Sequence, residues 1–257
     1  LMPNWCTNRL VVIANEGDAT ALDEFVKSVT VSPDVYDLTL PHPTPHVLLG
    51  TRSPMQTRES VEEMRADRDA GKLRAGDNFD GETQNGSWVT DEYLAGMIEQ
   101  IEQGEKAHEE TGYNNWYDWN IAKWGTKWAP DVHDILIDVS DDVSSATVSY
   151  QTAWGPAEGL VSKLSELNPL LSFVESYLEE GMDFWGANAY KDGEVRHSYY
   201  GDEDPVLGTL HTQYHEAAEI EDDGTAEMET LEAITERWQE LMNRAETDAL
   251  NVISVLI

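Results

Sequence analysis

From Asn8 to Ala14 the chain runs through branched apolar residues and stops at Asn15-Glu16-Gly17, a pattern that predicts a buried strand and a turn. Asp18 then stands where a cap is needed for a helix carrying Leu22, Phe25, Val26 and Val29 at helical spacing. Leu38 to Pro45 holds Pro41, Pro43 and Pro45 and predicts an extended connection, since proline removes a backbone donor and fixes φ. Residues 55–112 change texture to charged, glycine-punctuated sequence. They predict a helical insertion, with helices near Arg58 to Lys72 and Asp91 to Glu110 separated by the Gly and Asn residues of 76–86. Trp116 to Trp128 predicts a short helix ended at Gly125.

Ile135 to Val139 and Thr147 to Ala153 flank the polar Ser140 to Ser145 and predict an antiparallel hairpin. Pro156 suits a helix start, with Leu160, Val161 and Leu164 turned inward until Asn168-Pro169. Leu171 to Leu178 is the next strand, and Phe184 to Tyr190 with Val195 to Tyr200 form a second hairpin around Asp192-Gly193. Without the insertion the order is βα, ββ, αβ, ββ. That is an α+β chain: a ferredoxin-like split βαβ antiparallel sheet with an added hairpin, a helical insertion and a C-terminal helical extension. The domain is expected over 2–200, interrupted by 55–112. An acidic linker follows within 201–257, then a helix docked on the core through Leu231, Ile234, Trp238, Leu241 and Ala245.

Charge changes this picture more than length does. With 257 residues the chain can bury a sizeable core unaided, and its single cysteine, Cys6, excludes an intramolecular disulfide. Asp and Glu number 50 against 16 Lys and Arg, a formal net charge of -34, and lysine supplies only seven of the cations. Such self-repulsion is relieved when salt near molar concentration shortens the Debye length to a few ångströms, which points to a halophilic protein. The competing account is a DNA mimic that inhibits a host defence protein by copying duplex phosphates. Either way, direct nucleic-acid binding by broad attraction is disfavoured. No apolar run approaches the roughly 18 residues of a membrane span, Met2 reads as the start with Leu1 ahead of it, and no signal-peptide pattern follows. A cytoplasmic protein with no membrane contact is expected.

Candidate chemistry is sparse. Trp116, Trp119, Trp124, Trp128 and Trp154 fall within 39 residues, and Trp5 and Trp185 belong to the same domain. Two accounts stand: a satellite core tying helix to sheet, or an exposed patch that stacks a nucleic-acid base, through Trp124, Lys127 and Trp128 despite the global charge, or grips a partner, with Arg9 and Lys127 as its rare cations. His211 and His215, four apart with Glu216 and Glu219 nearby, would share one helix face as a metal pair does, although the zincin pattern is absent. His42 and His46 lie in the proline-rich segment without an evident nucleophile. Glu219 to Glu227 resembles a calcium loop but places Thr230 where a bidentate Glu belongs. Cys6 suits a buried small hydrophobe better than a nucleophile. No cofactor is expected and no catalytic residue is assigned.

Four ordered stretches carry a family resemblance. They are Met2-Pro3-Asn4-Trp5-Cys6 with Asn8-Arg9; Trp116-Tyr117-Asp118-Trp119 with Trp124-Gly125-Thr126-Lys127-Trp128; Thr152-Ala153-Trp154 with Pro156; and Glu179-Glu180-Gly181-Met182 with Gly186. Over roughly 2–50 and 113–200 the chain resembles the YubB-type ferredoxin-like domain of plasmid, phage and integrated-element proteins, with Lys123 and Gly155 departing from the expected Asn and Ser. The resemblance implies the ferredoxin-like fold and a mobile-element origin, and here a haloarchaeal virus, plasmid or provirus. It supplies no activity. The expectation is a non-enzymatic accessory module binding another macromolecule, most simply a protein; the alternative from another class is a metal-dependent hydrolase using His211 and His215.

Overall fold

The computed structural model describes residues 4–14, 18–71, 89–139, 144–218 and 225–256. It divides into two compact units, Leu1–Pro43 with Ile121–Ile257, and Thr44–Asn120. In the first, β1 (Trp5–Ala14) leads to α1 (Ala19–Ser28) and a small ribbon of β2 (Thr30–Ser32) and β3 (Val35–Tyr36). Asp18 stands at the N-cap of α1, but its side chain makes no capping bond, and its carbonyl accepts from Ala21 N instead.

The second unit is a helical piece closed at its ends by Thr44 Oγ1 donating to Asn120 Oδ1 at 2.7 Å. It contains a short 3-10 turn at His46–Leu48, then α2 (Arg58–Asp69) and α3 (Asp91–Thr111). Thr57 and Ser60 exchange the reciprocal bonds of a capping box, and Thr90 caps α3. Val61, Val89, Leu94, Met97 and Ile101 form its apolar cluster, and Arg58 grips Glu105 with two bonds of 3.2 and 2.6 Å. The insertion expected over 55–112 lies inside this unit; the expected Gly and Asn break at 76–86 lies outside the described residues.

The chain returns to the first unit within α4 (Trp116–Trp124), which Gly125 ends in the left-handed conformation at φ 83°. Next come β4 (Asp131–Val139), β5 (Ser144–Ala153), α5 (Glu158–Leu167), β6 (Leu171–Glu179), β7 (Phe184–Lys191) and β8 (Glu194–Asp202). The sheet order is β4-β5-β1-β6-β7-β8, antiparallel at every joint. β4, β5, β1 and β6 make the ferredoxin-like core, with β5 inserted between the β1 and β4 that α1 connects. β7 and β8 are the added hairpin. Asp192 and Gly193 are both left-handed at its tip, as a two-residue turn of this kind requires.

One face of the sheet, carrying Leu10, Val12, Val148 and Phe173, packs under α1 and α5, with Phe25 edge-on to Phe173 at 5.5 Å. All nine residues of β6 are buried, so both of its faces are covered. The second cover is C-terminal. The stretch expected to begin with a linker instead folds as α6 (Pro205–Ala218), followed by α7 (Thr225–Leu256). Asp204 Oδ1 accepts from Val206 N and Leu207 N and so caps α6, ahead of a proline suited to the first helical position. Ile234, Trp238, Leu241, Met242, Ala245, Ala249 and Ile253 of α7 bury Val174, Leu178, Trp185, Ala187 and Ala189. Among the described residues no helix is long and apolar enough to cross a membrane.

Candidate functional site

Exposed aromatic surface gathers at one end of the sheet, where β1 begins and β5 and β6 finish. Trp5 opens β1 opposite Ala153. The next residue, Trp154, leaves β5 at φ 75° with its backbone N–H donating to Asn4 O at 2.9 Å, which stitches the two strand ends together. Trp5, Trp128 and Trp154 are 45%, 39% and 43% exposed, whereas Trp119, Trp124, Trp185 and Trp238 are buried. The Trp5 and Trp128 rings lie 6.5 Å apart at 37°, and Lys127 Nζ sits 4.3 Å from the centroid of Trp128.

The end of β6 shapes the neighbouring wall. Glu179 is buried, and its carboxylate accepts from Gly181 N at 3.2 Å and Met182 N at 2.6 Å, folding the chain back sharply. Gly181 lies against the Asn4 side chain so closely that a Cβ would fall 2.4 Å from Asn4 Nδ2. Between these walls is a groove of about 350 Å³, lined by Asn4, Trp5, Thr7, Gln151, Glu179 and Glu180.

The tryptophans grouped by sequence therefore divide. Lys127 and Trp128 lie at the exposed end against Trp5, and Trp154 leaves β5 at that same end of the sheet. Trp124 is core, its Nε1 donating to His42 O at 3.0 Å. Trp119, buried, and Trp116, edge-on to Tyr117 at 5.9 Å, belong to the unit Thr44–Asn120. Trp185 packs edge-on against Trp238 of α7 at 5.9 Å. Arg9 is a dock for that helix, donating to Glu246 at 2.5 Å and Asn243 at 2.7 Å.

His211 lies on α6, with Nε2 3.9 Å from Asp183 Oδ1, beside a groove of about 410 Å³ that Glu203, Asp204 and Leu207 also line. Asp204 is committed to Arg237, which donates to its two oxygens at 3.2 and 2.7 Å and holds its carboxyl below the ordinary range. His215 follows one helical turn later, and its side chain lies outside the described residues, as does the calcium-loop-like segment at 219–224. Among the described residues no group of three or more His, Cys, Asp or Glu is arranged for a metal ion. His42, partly buried, has an imidazole pKa lowered by that burial and then by Lys163 and Lys123; His46 begins the 3-10 turn of the other unit.

A second chemical feature lies in the core. Glu175 is fully buried on the α1 and α5 face and accepts from Tyr150 Oη at 2.5 Å, Tyr190 Oη at 3.2 Å and Ala157 N at 3.2 Å. Burial pushes its pKa up to about 7, with Glu158 adding to the rise and the tyrosine bonds opposing it. Cys6, buried nearby with Sγ toward Asn8 Oδ1, has its thiol pKa pushed up by burial and by Glu175 and Glu179, which suits an inert packing residue. Both phenols are likewise driven upward, burial first and the Glu175 charge second. The signal for Glu175 was a lone carboxylate inside the apolar run Leu171 to Leu178.

A family model described as a ferredoxin-like domain in Api92-like protein matches residues 107–247, more than half of the chain. The crystal structure of a protein api92 from Yersinia pseudotuberculosis is similar at 10% identity and a TM-score of 0.37, over 79% of this chain and 100% of that one. No curated protein matches.

Proposed function

The chain belongs to the family of ferredoxin-like domains in Api92-like proteins, and from that footing we propose that it is a non-enzymatic binding module whose contact surface is the aromatic end of the sheet and whose partner is a protein. The observation that carries this is the contrast among its tryptophans. Trp119, Trp124, Trp185 and Trp238 are spent on cores, while Trp5, Trp128 and Trp154, on the ends of adjoining strands and the loop beside them, expose 39% or more of their surface. Large aromatic area left in water at one place is what binding surfaces present, because each ring contributes much contact area with few rotatable bonds. The net charge of -34 disfavours a nucleic-acid partner and favours a protein with basic side chains.

The finer parts of the proposal are a YubB-type relationship, a haloarchaeal virus, plasmid or provirus as the source, and acidity suited to molar salt. They rest on the motif stretches and on the charge. The test is affinity capture from a halophile lysate in molar KCl, comparing the wild-type chain with Trp128→Ala/Trp154→Ala and with Met228→Ala, which alters an exposed residue of α7. A protein retained by the wild type and Met228→Ala and lost with the double variant is expected. Equal retention by the double variant would remove the aromatic end as the contact surface.

A further inference from the structure

α7 covers only part of the sheet face that it packs on. Along β1 the residues on that face are Trp5, Thr7, Arg9, Val11 and Ile13. Arg9 is tied to α7 and Val11 and Ile13 pack against its cluster, while Trp5 and Thr7 are exposed. On the same side β5 turns out Ser145, Thr147, Ser149 and Gln151, all half-buried. Directly opposite them on edge strand β4 stand Asp138, Leu136, Asp134 and Asp131, all exposed. Among the described residues the strip beyond α7 is thus floored by half-buried polar side chains. Its β4 edge carries three aspartates and the exposed Leu136, and at Thr7 and Gln151 it runs into the groove that Trp5 lines.

We infer that this strip receives a basic segment of a protein partner, and that the groove takes one arginine side chain, its guanidinium stacked on the Trp5 indole and paired with the Glu180 carboxylate. This rests on the aromatic end being the contact surface and specifies what it recognises. Within the groove Glu179 has both oxygens engaged by backbone N–H groups, whereas Glu180 is exposed and one residue further along the turn. Trp5 supplies an exposed ring beside it. Lys127 over Trp128 places a cation on a ring at this same corner. A planar guanidinium satisfies a ring face and a carboxylate together, which a point-charge ammonium does less well. The three aspartates of β4 extend the complementarity along the length of a basic segment at contact range, where salt screens least.

The probe is N-acetyl-arginine methylamide, titrated into the full chain in molar KCl and followed through the tryptophan indole signals in proton–nitrogen correlation spectra, with Trp5→Phe identifying the relevant signal. A saturable shift at the Trp5 indole is expected, and the neutral citrulline analogue should leave it nearly unmoved. Glu180→Gln should weaken the apparent affinity about twofold, the scale of one exposed ion pair under strong screening. Glu229→Gln, the same charge change on α7, should not. An unsaturable response, an equal response to citrulline, equal weakening by Glu229→Gln, or saturation of the same indole by an oligonucleotide would each overturn the inference. Failure of the arginine probe while partner capture still depends on Trp128 and Trp154 would remove the arginine assignment and leave the aromatic contact surface standing.

Discussion

Glu175 shows how much one residue can set. An ionised carboxylate in a core is tolerated only when its oxygens are bonded, and Tyr150, Tyr190 and Ala157 supply three donors. Burial still dominates, raising the folded pKa to about 7 from an ordinary 4.5. The sign follows from which state holds the proton. Between these values the folded chain keeps a proton that the unfolded chain has released, so this group's contribution to stability is complete below about pH 4.5 and is lost as pH rises through 7. The expected loss is roughly 3 kcal/mol at 1.36 kcal/mol per unit. Glu175→Gln removes the titration. Denaturant unfolding of both proteins across this range should show the wild type losing stability relative to Glu175→Gln with rising pH; parallel curves would refute the assignment.

At the scale of elements, α7 converts a ferredoxin-like sheet with one covered face into one covered largely on both. Its central anchor is Trp238, fully buried against Trp185, whose indole N–H finds no acceptor among the described residues. Trp238→Ala opens a cavity between helix and sheet and should destabilise by about 3–5 kcal/mol. Trp238→Phe keeps a ring and removes the unpaired donor, and should stay within about 1.5 kcal/mol of wild type. Thermal unfolding of the two variants decides the matter: a Phe variant as damaged as the Ala variant would show that the indole N–H is satisfied and needed. Because α7 ends its cover at Arg9, the same element that stabilises β6 and β7 leaves Trp5 and Thr7 open.

Over the whole molecule the charge governs the conditions of folding. Fifty carboxylates against 16 cations repel in the folded state more than in an expanded chain, and the paired cations, such as Arg237 with Asp204 and Arg58 with Glu105, offset only a few of them. Screening should therefore raise the unfolding temperature steadily from dilute buffer to molar KCl. Calorimetry in a KCl series checks this, and a melting temperature independent of salt, or falling with it, would remove salt adaptation as the account of the acidity.

Much of this protein was legible before any tertiary contact was known. Period-two and helical spacing in stretches such as Leu171 to Leu178 and Leu160 to Leu164 reflect burial on one face or two, and burial is what the strand order then realises, so the βα, ββ, αβ, ββ succession and the ferredoxin-like core follow from local pattern. The charge and the single cysteine were equally plain. Position along the chain, however, says little about which of several tryptophans faces water. Trp124 and Trp128 stand four apart, yet one donates into the core and the other is exposed, because Gly125 turns the chain between them. Arg9, grouped by its charge with Lys127, lies under α7 instead, since its partner Glu246 is 237 residues away. The helix α6 was hidden in an acidic stretch whose Asp-Pro start was the local signal, while its apolar face made sense only against α7. Secondary structure is set by contacts near in sequence. Exposure, pairing and the aromatic end of the sheet are set by strands that meet only after the chain has crossed itself, and those the tertiary structure alone decided.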